Sequence, residues 1–240
     1  MKKEFIRKWF ILGVLFLLPV IFLLFLYPST HNYNPLDIVK TNISDVDDFT
    51  FFDSEKKLFN DNITVLAFLG KEPMNNITSA LNLKELIYDK FIGFKKFQII
   101  TISTLSAESS LKMVKKELHK SDELKYWSFA QGTSEQINKL YNSLRSQMQL
   151  DSTLATNQVF IIDKLNNQRG RIDDRSEDEI EKDIELHGLY SYNSTKVSEM
   201  KNKMSDDIRI LFTEYRQKRK GKFDSNNRRI KNLENLETKK

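Results

Sequence analysis

The sequence predicts an α/β domain carried behind one membrane-spanning helix, and three observations predict it. The run Trp9–Tyr27, WFILGVLFLLPVIFLLFLY, holds no charge. As a helix it is about 28 Å long, close to the roughly 30 Å hydrocarbon core of a bilayer. Three short runs, Ile63–Leu69, Phe97–Ser103 and Val159–Ile162, are largely apolar without alternation, the pattern of strands buried on both faces. Segments whose apolar residues recur at helical spacing lie between and after them.

In chain order, Lys2, Lys3, Arg7 and Lys8 precede the apolar run, and no Lys or Arg follows it until Lys40. The positive-inside rule places residues 1–8 in the cytoplasm and the rest beyond the membrane. Pro19 is tolerated in a span, and Trp9 and Tyr27 sit where rings prefer the headgroup layer. A cleaved signal peptide is the rival, but the run exceeds a usual h-region and Pro28-Ser29-Thr30 is no A-x-A site. The expected location is single-pass in a bacterial inner membrane, with a periplasmic C-terminal domain.

After a linker at 28–40, Asp48–Asp53 and Lys57–Phe59 predict a small hairpin turning at Ser54–Lys56. Strand 63–69 follows, then a helix over 75–91 with Ala80, Leu83, Ile87 and Phe91 on one face. Strand 97–103 leads to a helix over 108–120 with Leu111, Val114 and Leu118 inward, and Tyr126–Phe129 is a short strand. Thr133 with Gln136 three residues later signals a helix start. Its apolar face is Ile137, Leu140, Tyr141, Leu144 and Met148. Strand 159–162 turns at Asn166-Asn167 into a partner near 169–172. The last helix, near 196–218, carries Val197, Met200, Met204, Ile208, Leu211 and Tyr215. The order β-α-β-α-β-α-β-β-α implies a mixed sheet with a terminal hairpin, the thioredoxin-like plan, over 41–215.

Composition removes much chemistry. The 240 residues include no cysteine, so disulfides, thiolate metal sites and cysteine nucleophiles are excluded. His31, His119 and His187 lie far apart in the chain. The net charge of +5 sits at the ends. Residues 1–27 contribute +3 and the basic tail 216–240 contributes +7, leaving 28–215 at −5. Beyond the membrane the tail is expected to touch anionic headgroups or an acidic partner, not nucleic acid. No P-loop, dinucleotide fingerprint or G-x-S-x-G elbow occurs. Four Asn-x-Ser/Thr sequons, at Asn42, Asn62, Asn76 and Asn193, carry little weight in so Asn-rich a chain.

The runs Phe49-Thr-Phe-Phe-Asp53, Val65-Leu-Ala-Phe-Leu69, Tyr126-Trp-Ser-Phe-Ala-Gln-Gly132 and Val159-Phe-Ile-Ile-Asp163 leading into Gln168-Arg-Gly-Arg171 resemble, in order and spacing, the Sco/SenC group of membrane-anchored thioredoxin-like proteins. The resemblance covers most of 41–215 and implies copper delivery to, or thiol reduction in, cytochrome c oxidase. It also implies a CxxxC pair after the first buried strand and a copper-ligating His before the strand ending in Ile-Asp. Here those places read Gly70-Lys-Glu-Pro-Met-Asn-Asn76 and Leu154-Ala-Thr-Asn157, and no proline precedes Val159. The chain is therefore expected to be a degenerate member: not an enzyme, without a cofactor or metal, and a docking subunit or assembly factor of a membrane complex. The alternative is an unconventional copper or redox protein using Met and His ligands, such as Met74 and Met148.

In the thioredoxin plan the two altered loops meet at one sheet edge. Lys71, Glu72, Pro73 and Met74 from one side and Ala155, Thr156 and Asn157 from the other are the candidate partner-binding residues. The same composition equally suits plain solvent-facing loops. The charged insertion at 173–188 is the other candidate contact surface; it lacks the EF-hand spacing a calcium site would need. Orientation is testable at once. A reporter active only in the cytoplasm, fused after Lys240, should stay silent, whereas activity there would contradict the assignment.

Overall fold

The computed structural model describes residues 2–26, 35–52, 55–119 and 123–221. They form two units, divided at Asn34/Pro35. The first is one helix, Lys2–Leu26 (α1), with Pro19 inside it. Its stretch Arg7–Phe25 is long and apolar enough to cross a membrane, and none of it is buried. Tyr27 lies outside the described residues.

The second unit contains, in chain order, strands Asp37–Lys40 (β1), Thr50–Phe52 (β2) and Ile63–Gly70 (β3). Helix Ile77–Leu83 (α2) runs through a π turn at Lys84–Tyr88 into Asp89–Phe91 (α3). Strand Phe97–Thr104 (β4), helix Glu108–Leu118 (α4), strand Trp127–Gly132 (β5) and helix Ser134–Ser143 (α5) follow. The chain closes with strands Ala155–Ile162 (β6) and Gln168–Gly170 (β7), helix Glu177–Glu181 (α6), strand Tyr192–Asn193 (β8) and helix Ser205–Arg219 (α7). A π segment, Glu199–Met204, leads into α7.

The sheet order is β1-β7-β6-β3-β4-β5-β2, with β8 added on β6. Strands β3, β4 and β5 run parallel, whereas β6 lies antiparallel to both β3 and β7. A βαβ unit (β3 to β4) and a ββα unit (β6, β7, α7) thus share one sheet, joined where β3 pairs with β6. This is the thioredoxin-like arrangement. Every position of β3 and β4 is buried, because both strands are paired on two edges and covered on two faces, as continuous apolar runs require. On one face Val65, Ile99, Trp127 and Ile161 pack with Leu83, Ile87, Leu111, Val114, Met204 and Ile208. On the other, Leu66, Phe68, Ile100 and Phe160 pack with Ile137, Leu140, Tyr141 and the N-terminal residues Ile43, Val46 and Phe49. The Thr133–Gln136 capping box forms in both directions.

The structure departs from the local pattern in four places. The hairpin expected over 48–59 does not form. Thr50–Phe52 pairs with β5, and Asp45 Oδ1 accepts from the amides of Val46 and Phe59, folding the segment so that Phe59 fills the second core layer. Asp53 and Ser54 lie outside the described residues. The helix from Thr133 ends at Ser143, where Leu144 turns extended and Met148 is left 58% exposed. Val197, expected on the inward face of the last helix, is also exposed. The stretch assigned to the linker at 28–40 contributes β1, which pairs with β7.

Two arginines, Arg169 buried and Arg171 half-buried, tie the C-terminal half together. Arg169 donates to Asp163 (3.1 Å), to the Leu36 carbonyl (2.7 Å) and to Glu214 on α7. Arg171 holds Asp207 (2.8 Å) and Asp174 (2.9 Å), and the Tyr192 hydroxyl donates to Asp207 at 2.6 Å. Burial pushes the Asp207 carboxyl up, and it outweighs the opposing pull of Arg171 and Tyr192. Removing one partner of a buried pair strands the other charge and costs about 3–5 kcal/mol. Arg169→Ala should lower unfolding free energy by that amount in denaturant titration of the full chain, and Arg169→Met with Asp163→Asn and Glu214→Leu should recover most of it. Equal losses in the single and triple variants would contradict this.

Candidate functional site

The site lies where β3 ends. Gly70 adopts φ +68°, and a Cβ there would sit 2.3 Å from the Thr153 carbonyl oxygen and 2.8 Å from the Ala155 amide nitrogen. Only glycine admits so close an approach of two backbones. The chain then donates from the Lys71 amide to the Thr153 carbonyl at 2.8 Å, and Lys71 Nζ reaches the Ser152 carbonyl at 3.4 Å. On the facing loop, Asp151 Oδ1 accepts from the Thr153 amide (2.8 Å), the Thr153 hydroxyl (2.6 Å) and the Ala155 amide (2.9 Å). Burial works to raise the Asp151 carboxyl, but those donors outweigh it and hold it below the usual carboxylate range. The Asp-Ser-Thr sequence is an Asx turn. It also holds Leu154 in the left-handed region at φ 63°.

The two loops expected to meet at one sheet edge do meet, and main chain closes the space between them. Lys71 and Glu72 are exposed, Pro73 is buried and Met74 is half-buried. Met74 packs against the first core layer, and its amide donates to Ser110 Oγ at 3.2 Å. Glu72 accepts from Asn75, and Asn76 Nδ2 donates to the Leu69 carbonyl at 3.3 Å. Ala155 and Thr156 pair with Leu69 and Phe68; Ala155 is buried and Thr156 half-buried. Asn157 is exposed, while its carbonyl accepts from the Ser194 amide and hydroxyl at 2.9 and 2.7 Å. The outward-facing set is therefore Lys71, Glu72 and Asn157 rather than the whole group, and Met74 belongs to the wall behind it.

Among the described residues no group of three or more His, Cys, Asp or Glu converges to hold a metal. His187 lies in the insertion, with Nδ1 3.4 Å from the Glu185 carbonyl; His31 is outside the described residues. Within the insertion, Ser176 and Glu179 form a capping box that starts α6, and Arg175 binds Asp173. The carboxylates are thus partly used in ordering the segment. A concavity of about 340 Å³ lies elsewhere, between β2, β5 and the end of α4, lined by Phe52, Lys115, His119, Trp127 and Phe129 among others. It includes neither loop of the site.

With this geometry in place, comparison with known proteins adds the following. No family model and no curated protein matches the chain. Solved structures it is similar to include BsSco, a member of the Sco family of cytochrome c oxidase assembly proteins. The identity is 13% over 75% of this chain and 99% of that one, with TM-score 0.46. Apo Sco1 from Thermus thermophilus aligns at 14% identity over 76% and 99% of the two chains, with TM-score 0.44. Bradyrhizobium japonicum ScoI with copper bound aligns at 14% over 68% and 96%, with TM-score 0.37.

Gly70 and the Asp151–Thr153 turn went unassigned in the sequence. Glycine directly after a buried strand was the available signal for the first, and D-x-T the signal for the second. Gly70→Ala should lower stability by more than about 1 kcal/mol. It should also speed hydrogen exchange at the Lys71 and Ala155 amides, whose neighbours it would push apart. Unchanged exchange at both amides would show that the loops are not interlocked through this position.

Proposed function

We propose that this chain is a membrane-tethered thioredoxin-fold protein that works by docking rather than by chemistry, as a subunit or assembly factor of a membrane complex. The observation that carries the reading is the site edge itself. It keeps the thioredoxin layout, but interlocked backbone at Gly70, Lys71, Thr153 and Ala155 closes it. The chain also has no cysteine to place there. Disulfide exchange needs a thiolate nucleophile. What the edge offers outward is an ammonium (Lys71), a carboxylate (Glu72) and an amide (Asn157) on a rigid frame. Such a surface suits the polar rim of a protein contact. The sequence resemblance to the Sco/SenC group makes a respiratory complex, cytochrome c oxidase first, the complex to look for. The N-terminal charge asymmetry supports a periplasmic position for the domain, in a bacterial inner membrane.

Copper chemistry on Met and His ligands finds less support. Met74 is engaged in packing the first core layer, and Met148 is exposed after α5. The test uses only outward residues, since Met74→Asp would damage the core. The full chain is purified from membranes in mild detergent alongside Lys71→Glu with Glu72→Lys, and co-purifying proteins are quantified. If the edge docks a partner, the folded variant should recover it at least about tenfold less well, equivalent to about 1.4 kcal/mol. Undiminished recovery of the same proteins would remove this edge as the docking surface.

A further inference from the structure

The opposite end of the central sheet carries a different surface. Strand β3 begins there, flanked by the turn before β4 and the turn after β6. Register places Ile63 beside Phe97, and Thr64 beside Ile162. Since neighbouring strands lie about 4.8 Å apart, the two flanking turns are about 10 Å from one another. Each presents a large apolar side chain to solvent: Phe94 is 45% exposed and Leu165 68%. Phe94 is nonetheless fixed, with its ring 4.4 Å from that of Phe212 on α7 and 5.7 Å from that of Phe91.

Lysines surround these two residues. Lys95 and Lys96 follow Phe94 and are exposed, and Lys164 precedes Leu165. Asp61 sits between the turns. It pairs with Lys96 at 2.7 Å, donates its amide to the Lys164 carbonyl at 3.0 Å, and has its carboxyl held low by Lys96 first and Lys164 last. Helix α7 ends beside the same turn. Lys164 Nζ and Lys218 Nζ each lie 5.2 Å from the Tyr215 ring, and Arg216 and Arg219 in the last turn are exposed. One turn before Phe94, burial together with repulsion from Arg209 and Lys201 holds the Lys90 ammonium below its usual range. Cations therefore predominate across this end.

We propose that this end of the domain docks on an anionic phospholipid surface, with Phe94 and Leu165 entering the headgroup layer and Lys95, Lys96 and Lys164 meeting lipid phosphates. Charge complementarity and exposed apolar tips match that occupant. The tether strengthens the match. The same chain carries α1, whose stretch Arg7–Phe25 is long and apolar enough to cross a membrane. A weak surface affinity then acts at high effective concentration. The proposal goes beyond the docking function above and stands without it, because it concerns the other end of the sheet.

The absence of native cysteine makes a single label straightforward. Leu165→Cys in the full chain is coupled to a polarity-sensitive fluorophore and placed in nanodiscs of phosphatidylcholine, with or without phosphatidylglycerol, both carrying a headgroup nitroxide quencher. Quenching should be at least about threefold greater in the anionic discs. It should fall to the neutral-disc level in 1 M salt, where the Debye length is about 3 Å, and in the background Lys95→Glu with Lys164→Glu. Lys95→Gln with Lys164→Gln, which adds no repulsion, should give an intermediate value, and a label at Met148→Cys should show no lipid dependence. Equal quenching in the two lipids, or anionic-disc quenching unmoved by the lysine changes, would overturn the proposal. A blue shift without quenching would assign the face to a protein contact and overturn it equally.

Discussion

The C-terminal half of the domain depends on one buried cation. The Arg169 guanidinium sits in β7 yet binds Asp163 at the end of β6, Glu214 on α7 and the carbonyl of Leu36, where the chain enters the domain. Three segments remote in sequence meet at this group, and Lys218 adds a second cation to Glu214 at 2.6 Å. The Arg169 side chain is 3% exposed and Asp163 1%, so water does not compensate a lost partner. Such a pair specifies position more than it adds net stability. Hydrophobic burial alone would allow α7 to slide along the sheet; the Arg169–Glu214 pair fixes its register, and Arg171 with Asp207 fixes it again about two helical turns away.

The same distinction between local and distant causes explains what could be read from the sequence. Continuous apolar runs at 63–69 and 97–103 announced central strands because a doubly covered strand has no polar face to show. The helix faces through Leu83 and Ile87, and through Leu111 and Val114, followed from spacing, and Thr133 with Gln136 gave the start of α5 from four residues. Three of the misses involve partners far along the chain. Thr50–Phe52 reads as half of a hairpin until β5 supplies a better edge. Leu144 continues the period of α5, but Ser143 Oγ accepts from the amide of Ser44 and the chain turns extended. In the candidate site, proximity of the loops followed from the fold plan. Their interlocking did not, since it depends on the backbone conformation of Gly70 meeting a turn about eighty residues later.

The domain thus has a frame with two dissimilar ends. At the end of β3 the closed edge presents the ammonium of Lys71, the carboxylate of Glu72 and the amide of Asn157 on fixed main chain. At the start of β3, exposed Phe94 and Leu165 lie among lysines. The frame is held by core packing among β3, β4, β6 and α7 and does not rely on the outward residues Lys71, Glu72 and Asn157 of the edge. The charged stretch 173–188 is ordered by its own capping box and the Arg175–Asp173 pair, and it is anchored to the body through Asp174, which Arg171 and Lys203 hold.

The central claim is that the edge binds without chemistry. It is tested most directly by metal content and thiol exchange measured on the full chain purified in detergent. After loading with cuprous ion and dialysis against a competing chelator, the account predicts far less than one copper per chain and no reduction of a disulfide substrate above buffer. One copper retained per chain, lost on Met74→Leu, would contradict it.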